Sequence, residues 1–462
     1  MGKYFGTDGV RGTANENLDV TLAYKIGLSA SYVLIKDINK IDNKKRKPKF
    51  IIGKDTRISG SMFESAIAAG ICAGGCDVVL CGIVPTPAIA FLVKECGFDA
   101  GIMISASHNP AFDNGIKIFN SFGYKLSDEL EENIEYAIDN YRDIELKTGE
   151  FIGTVIHDEK IIDKYINHVL HVGELNLSEL NIKIIIDCAN GSASATADKI
   201  FLCENQNNID IINSSPDGLN INKNCGSTHL DELKKIVKSG GYDIGFAFDG
   251  DADRCLMIDE TGELIDGDRI LCVLAEDMKR ANKLKNNAIV VTKLSNMGFH
   301  KFCEQIIEIN VEETDVGDRF VLERMLEKDI NLGGEQSGHV IVSDYATTGD
   351  GQITAVLILD ILKKYNNKKA SEIFGVMKSY PQIILNVEID NDSKQKIMSD
   401  RKVLESVEKT RDLLNRNGRV LIRASGTEPL IRIMIEGENQ EIITEYAEEI
   451  KKVIKCRKIE RF

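Results

Sequence analysis

The sequence predicts an α/β protein with three related domains and a smaller α+β domain at its end. Two observations carry this. The chain has 462 residues, 43% of them hydrophobic, and a single core stops growing at roughly 250–300 residues. An apolar β-rich run, a small or polar turn and a helical pattern also recur in that order three times.

The first copy is the run Lys49–Gly53, leading through Asp55 to a helix around Met62–Ala73. The second is Ile182–Asp187, then Asn190-Gly191 and a helix near Ala193–Phe201. The third is Ala288–Thr292, then Ser295–Gly298 and a helix running into Phe302. After Ser379-Tyr380-Pro381 the pattern changes. A strand over Ile383–Ile389 is followed by an amphipathic helix over Asp392–Asn415, strands over Arg419–Arg423 and Leu430–Glu436, and a charged helix over Asn439–Lys455. Strand, helix, strand, strand, helix describes a small α+β unit. The expected domains are 1–157, 158–258, 259–374 and 375–462.

Composition narrows the function. No run of about 18 apolar residues is present, so no membrane span is expected. The N-terminus carries no basic-then-apolar targeting segment. A formal net charge of −15 repels nucleic acid. An anionic substrate must then be met by local cations within motifs. The basic run Lys44–Lys47 reads as a solvated loop. The 11 cysteines form no paired metal spacing and read as free thiols of a reducing cytoplasm.

Four segments carry the chemistry. Ser105-Ala106-Ser107-His108-Asn109-Pro110 follows the strand-like Ala100–Ile104, which sets a hydroxyl on a tight turn. Pro110 disfavours helix at Asn109, and Asn114-Gly115 marks a second turn before Lys117. Ser107 is not followed by Gly, so the nucleophile elbow of α/β-hydrolases is excluded. Asp249-Gly250-Asp251-Ala252-Asp253-Arg254 places carboxylates at i, i+2 and i+4 after an apolar strand. Such a loop requires a cation, and oxygen ligands favour Mg²⁺ or Ca²⁺. An EF-hand does not fit, because Arg254 stands where its loop needs Gly. Gly333-Gly334-Glu335-Gln336-Ser337-Gly338-His339 offers a carboxylate, a hydroxyl and an imidazole suited to sugar hydroxyls. Arg423-Ala424-Ser425-Gly426-Thr427-Glu428-Pro429, with Arg432 beyond it, joins two guanidinium groups, two hydroxyls and a Gly turn into an anion cradle. The glycine-rich Phe5–Gly12, with Arg11, lacks P-loop spacing. Together the segments specify phosphoryl transfer on a sugar phosphate.

With its loops in this order, the sequence resembles an α-D-phosphohexomutase over nearly the whole chain. The resemblance implies a heart-shaped architecture of four domains, three related α/β domains and a C-terminal α+β domain like the TATA-binding protein. It implies that Ser107 is phosphorylated, and that Asp249, Asp251 and Asp253 bind Mg²⁺ together with the seryl phosphate. Arg254 would be the neighbouring cation, and Arg11, His108 and Lys117 the basic residues beside the moving phosphoryl group. Glu335, Ser337 and His339 would bind the sugar. Arg423, Ser425, Gly426, Thr427 and Arg432 would bind its phosphate. Gln336, where mannose and glucose mutases typically carry Met, resembles the amino-sugar branch. So does the loop Val316-Gly317-Asp318-Arg319-Phe320, although Tyr is frequent at Phe320. Asp318 is suited to a substrate carrying an ammonium group. The implied reaction interconverts glucosamine 6-phosphate and glucosamine 1-phosphate through glucosamine 1,6-bisphosphate, in a cytoplasmic monomer or homodimer. Lys117 or His108 would be the general base.

Three other readings stand beside it. A phosphomannomutase or phosphoglucomutase shares every catalytic part. A metal-dependent phosphatase would use Ser107 without needing the distal cradle. A sugar-phosphate sensor on an inactive scaffold would more often lack the serine or an aspartate.

Overall fold

Seven strands form the first sheet: β1 (Phe5–Gly6), β2 (Gly9–Thr13), β3 (Lys49–Lys54), β4 (Asp77–Ile83), β5 (Ala100–Ile104), β6 (Asp113–Asn120) and β7 (Val155–His157). Their order is β1-β2-β6-β5-β3-β4-β7. The run β5-β3-β4-β7 is parallel, whereas β6, β2 and β1 continue antiparallel. The computed structural model describes residues 2–6, 8–41, 46–173, 181–202, 208–365, 368–424 and 429–459.

Strand β5 is buried at every position because helices cover both faces of a parallel sheet, and its sequence is correspondingly an unbroken apolar run. Phe50, Ile52, Ile102 and Ile104 meet Ile26, Phe63 and Ile67 of the covering helices in one core. Each such side chain contributes roughly 1.5–3 kcal/mol on burial.

The second sheet repeats the plan with β8 (Ile184–Asp187), β9 (Ile209–Ile212), β10 (Ile244–Phe248), β11 (Cys255–Asp259) and β12 (Leu264–Ile265), ordered β12-β11-β10-β8-β9. Here β9, β8 and β10 are parallel, and β11 turns back antiparallel. The third sheet has β13 (Ala288–Thr292), β14 (Asn310–Thr314), β15 (Leu332–Gly334) and β16 (Val340–Val342), ordered β14-β13-β15-β16. Its first three strands in that order are parallel and β16 is antiparallel. The fourth sheet is fully antiparallel: β17 (Gln382–Glu388), β18 (Gly418–Ala424) and β19 (Leu430–Gly437), ordered β17-β19-β18.

By contact density the chain forms two compact units. The larger comprises Gly2–Leu294 and Ile309–Val376, and holds the first three sheets. The smaller comprises Ser295–Glu308 and Met377–Phe462. In it, Ile431, Ile433 and Ile435 of β19 pack on Ile443, Ala447, Ile450 and Ile454 of the last helix. Asn296 binds this unit internally: its Nδ2 donates to the Tyr380 carbonyl and its Oδ1 accepts from the Tyr380 N–H, each at 2.9 Å.

Local chemistry departs from the sequence expectation in three places. The amphipathic pattern over 392–415 is two helices, Asn391–Met398 and Arg401–Leu414. Asp400 breaks it by accepting from the Lys402 N–H and capping the second helix. The helix after Asn190-Gly191 begins as a 3₁₀ turn over Ser192–Ala195 before Ala197–Phe201. In the basic run, Arg46 bonds Asp99 at 2.6 Å and Lys47 bonds the Ile152 carbonyl at 2.9 Å, so this half fastens the loop to the first sheet. Residues 44 and 45 lie outside the described residues. All cysteines among the described residues are free, and most are buried.

Candidate active site

Three loops occupy the same topological place. Each leaves a parallel strand and returns as its antiparallel neighbour: 105–112 joins β5 to β6, 249–254 joins β10 to β11, and 335–339 joins β15 to β16. Open α/β sheets bind ligands beyond the carboxyl ends of their parallel strands.

In the first loop Ser107 sits at φ 51°, in the left-handed region that a residue with a Cβ avoids. A dense net holds it there. The Ser107 N–H donates to Ser105 Oγ at 2.9 Å, and Ser105 Oγ donates to Asp55 at 2.6 Å. Arg57 pairs with Asp55 at 2.8 Å, both side chains wholly buried. Its Nη2 donates to the carbonyls of Ser107 and Asn109, at 2.9 and 2.8 Å. Its Nη1 donates to those of Pro110 and Asp113. Asn222, from the segment before β10, donates to the Ser107 and Asn109 carbonyls at 2.9 and 3.1 Å. The Ser107 hydroxyl then reaches Asp249 Oδ2 at 2.6 Å, with His108 Nδ1 3.4 Å away.

The second loop carries Asp249, Asp251 and Asp253, whose ligand oxygens all lie within 4.8 Å of one another. Gly250 allows the close approach of the first loop: a Cβ there would stand 2.5 Å from the Ser107 carbonyl oxygen. Burial, then the charges of Asp253 and Asp251, hold the Asp249 carboxyl well above the ordinary range. Burial acts the same way on Asp251, but Lys117 at 2.9 Å and the Thr86 hydroxyl at 2.5 Å outweigh it and lower that carboxyl. Asp251 Oδ1 and Asp253 Oδ1 are buried without a hydrogen-bond partner among the described residues. Crowded, buried, part-unsatisfied carboxylates fit a hard divalent cation.

The cations stand around this loop. Lys117 is buried and bonds Asp8 at 3.0 Å as well as Asp251, with Asp253 at 3.7 Å. Burial opposes its charge, but the three carboxylates outweigh that and raise its pKa. Arg11, on β2, pairs with Asp8. Arg254 Nε lies 3.9 Å from Asp253. Burial, then Arg254 and Arg11, push His108 down to about 4, so its imidazole is neutral at pH 7.

The third loop is fastened to the second, since the Cys255 N–H donates to the Gly338 carbonyl at 3.0 Å. Gly338 has φ 91°, and a Cβ there would meet the Cys255 carbonyl oxygen at 2.4 Å. Ser337 Oγ and both ring nitrogens of His339 are buried without a hydrogen-bond partner among the described residues. His339 Nε2 lies 4.0 Å from Asp253 and 3.7 Å from Asp318. Burial raises the pKa of Glu335. Asp318 pairs with Lys125. Gln336 points its amide at the first turn of the helix Gly267–Arg280, 3.2 Å from Asp268 and 3.4 Å from Asp266.

Of the residues expected from sequence in the first three sheets, these form one connected cluster: Ser107 with Asp249, Lys117 with Asp251, Arg254 and His339 with Asp253, and Asp318 with His339, the three aspartates lying together. In the smaller unit, Arg423 on β18 and Arg432 on β19 are register partners. Like charges directly opposite are unfavourable without a balancing anion or other partner. Ser425, Gly426 and Thr427 lie outside the described residues. Sequence reasoning missed Asp8, Asp55, Arg57, Thr86, Lys125 and Asn222. Only Lys54-Asp55-Thr56-Arg57 carried a signal, as alternating charges directly after an apolar strand.

Comparison with known proteins agrees with this arrangement. Four domain descriptions of phosphoglucomutase/phosphomannomutase match in order: alpha/beta/alpha domain I at residues 2–145, domain II at 163–262, domain III at 266–380 and the C-terminal domain at 384–453. Fold and loops together define a phosphohexomutase, and the chain belongs to the phosphoglucomutase/phosphomannomutase family. A phosphoglucosamine mutase of Caldicellulosiruptor saccharolyticus is 48% identical over 461 residues, 99% of this chain and all of that one. A phosphoglucomutase/phosphomannomutase family protein of Burkholderia thailandensis has the same fold, with a TM-score of 0.80 at 23% identity, covering 99% and 98% of the two chains. An N-acetylphosphoglucosamine mutase of Aspergillus fumigatus, solved with GlcNAc-6P and magnesium, aligns at a TM-score of 0.64 and 18% identity over 98% and 96%.

Proposed function

We propose that this chain interconverts glucosamine 6-phosphate and glucosamine 1-phosphate through a phosphoserine at Ser107, and so feeds synthesis of UDP-N-acetylglucosamine in the cytoplasm. The supporting observation is the Ser107 hydroxyl, 2.6 Å from Asp249 in a buried loop of three carboxylates. The phosphoglucosamine mutase relative supplies the substrate class.

In this reading Asp249, Asp251 and Asp253, with the seryl phosphate, hold Mg²⁺. Bound there, the ion stabilises charge on the phosphoryl oxygens. Arg11, Lys117 and Arg254 add fixed positive charge around them. The bond from phosphorus to Ser107 Oγ breaks as the sugar's free hydroxyl oxygen bonds to phosphorus, and that hydroxyl gives up its proton. Lys117 is committed to Asp8 and Asp251, so His108, beside Ser107 and neutral, is the better acceptor for it. The resulting glucosamine 1,6-bisphosphate reorients and returns its other phosphoryl group to Ser107. Glu335, Ser337 and His339 bind the sugar hydroxyls, and Asp318 faces its amine. Arg423 and Arg432, with Ser425, Gly426 and Thr427, bind the phosphate that is not reacting. We assign the four domains as 1–157, 158–258, 259–374 and 375–462.

The deciding experiment is 1-phosphate formation from glucosamine, glucose and mannose 6-phosphates, with Mg²⁺ and the matching bisphosphates. The amino sugar is expected to be preferred, and Ser107→Ala is expected to abolish turnover while the protein stays folded. Preference for a neutral sugar would reject the substrate assignment, and wild-type turnover by Ser107→Ala would reject the phosphoserine.

A further inference from the structure

Lys125 forms ion pairs with two carboxylates at once, Asp8 and Asp318. All three side chains are largely buried, at 13%, 20% and 17% exposure. The turn that carries Lys125 is held in place. Lys125 itself bridges to Phe119 at the end of β6, and the neighbouring Gly123 carbonyl accepts from the Thr347 hydroxyl at 2.7 Å. The two carboxylates differ in their other partners. Asp8 also has Arg11 and Lys117. Asp318 has, besides Lys125, only the imidazole of His339 within ion-pair reach among the described residues, at 3.7 Å. That contact also places Asp318 beside the sugar loop, to which His339 belongs.

We infer that Lys125 limits the preference for amino sugars: it is a resident counter-ion of Asp318 that the substrate's ammonium group displaces and Asp8 retains. This rests on the amino-sugar reading of the site. A lysine is suited to the exchange because its ammonium is a point charge on a flexible four-carbon stem. On release from Asp318 it keeps the Asp8 carboxylate, so no buried charge is stranded. The incoming ammonium gains Asp318 in return. A neutral sugar offers Asp318 nothing and leaves the resident pair in place. Lys125 therefore acts through Asp318, as a competitor whose strength tunes selectivity.

The test compares kcat and KM for glucosamine 6-phosphate and glucose 6-phosphate in wild type, Lys125→Met and Lys125→Arg, with melting temperature as the control for folding. Lys125→Met removes the competitor, so the ratio of kcat/KM for amino to neutral sugar should rise at least about fivefold, the size of a modest ion pair. The rise should come from a lower KM for the amino sugar. Lys125→Arg holds Asp318 with a forked guanidinium, so its ratio should fall, and it carries the test if Lys125→Met does not fold. A ratio that is unchanged in both variants, or that moves the other way, overturns the inference. If wild type itself shows no preference for the amino sugar, the fault lies in the reading of the substrate instead.

Discussion

The Arg57 guanidinium donates from each of its five N–H groups, to the Asp55 carboxylate and to the carbonyls of Ser107, Asn109, Pro110 and Asp113. Two substitutions separate its charge from its shape. Arg57→Lys keeps a cation for Asp55 but cannot span four carbonyls, so the protein should fold while the strained Ser107 loop loosens. Turnover should fall about ten- to a hundredfold, the usual penalty for a misplaced reacting group. Arg57→Met strands a buried Asp55, which should cost about 3–5 kcal/mol in denaturant unfolding. Equal turnover in Arg57→Lys and wild type would show that the loop holds itself. Ser107 was legible in the sequence because a hydroxyl, two small residues and a proline make an unusual turn. Arg57 was not legible in this role, since its acceptors are backbone carbonyls some fifty residues away, and carbonyls leave no trace in side-chain pattern.

At the scale of elements, the three loops owe their common position to one device, a parallel strand followed by an antiparallel return. The strands were legible as apolar runs, and so was the three-aspartate loop. The antiparallel return was not, because Cys255–Asp259 and Val340–Val342 are as apolar as the parallel strands before them. Partner direction is set by neighbours that periodicity does not record. The metal loop also makes a stability prediction. Without a cation its carboxylates repel, and burial with the other two charges raises the pKa of Asp249. Asp249→Asn should therefore stabilise the metal-free protein by about 1 kcal/mol, as relief of functional strain commonly does. It should also remove the rise in melting temperature that added Mg²⁺ is expected to give wild type. If Asp249→Asn lowers metal-free stability, the hydrogen bond from Ser107 outweighs carboxylate repulsion in this loop.

At the scale of the larger unit, the metal loop is tied to two helices through Asp350 and its neighbour. Asp350 caps the helix Gly351–Lys364 by accepting from the Ile353 N–H at 2.9 Å, and it accepts from the Tyr165 hydroxyl of the helix Ile162–Leu170 at 2.9 Å. The next N–H, of Gly351, donates to the Ala252 carbonyl in the metal loop at 3.0 Å. Burial, opposed by these hydrogen bonds and aided by the charge of Asp253, raises the Asp350 pKa to about 7. An unfolded aspartate titrates near 4. Between about pH 4 and 7 the folded protein therefore retains a proton that the unfolded chain has released. The stability this proton confers is complete below the unfolded value and is lost as pH rises toward the folded one. Asp350→Asn keeps the cap and an acceptor for Tyr165 but cannot ionise. Its stability relative to wild type should rise by up to about 1.4 kcal/mol per pH unit across that window and be flat on either side. Denaturant unfolding of both proteins, buffered below, within and above the window, measures this difference directly. Because other carboxylates titrate equally in both proteins, a difference that stays constant with pH would mean that Asp350 is already ionised at the bottom of the window, and that its hydrogen bonds outweigh its burial.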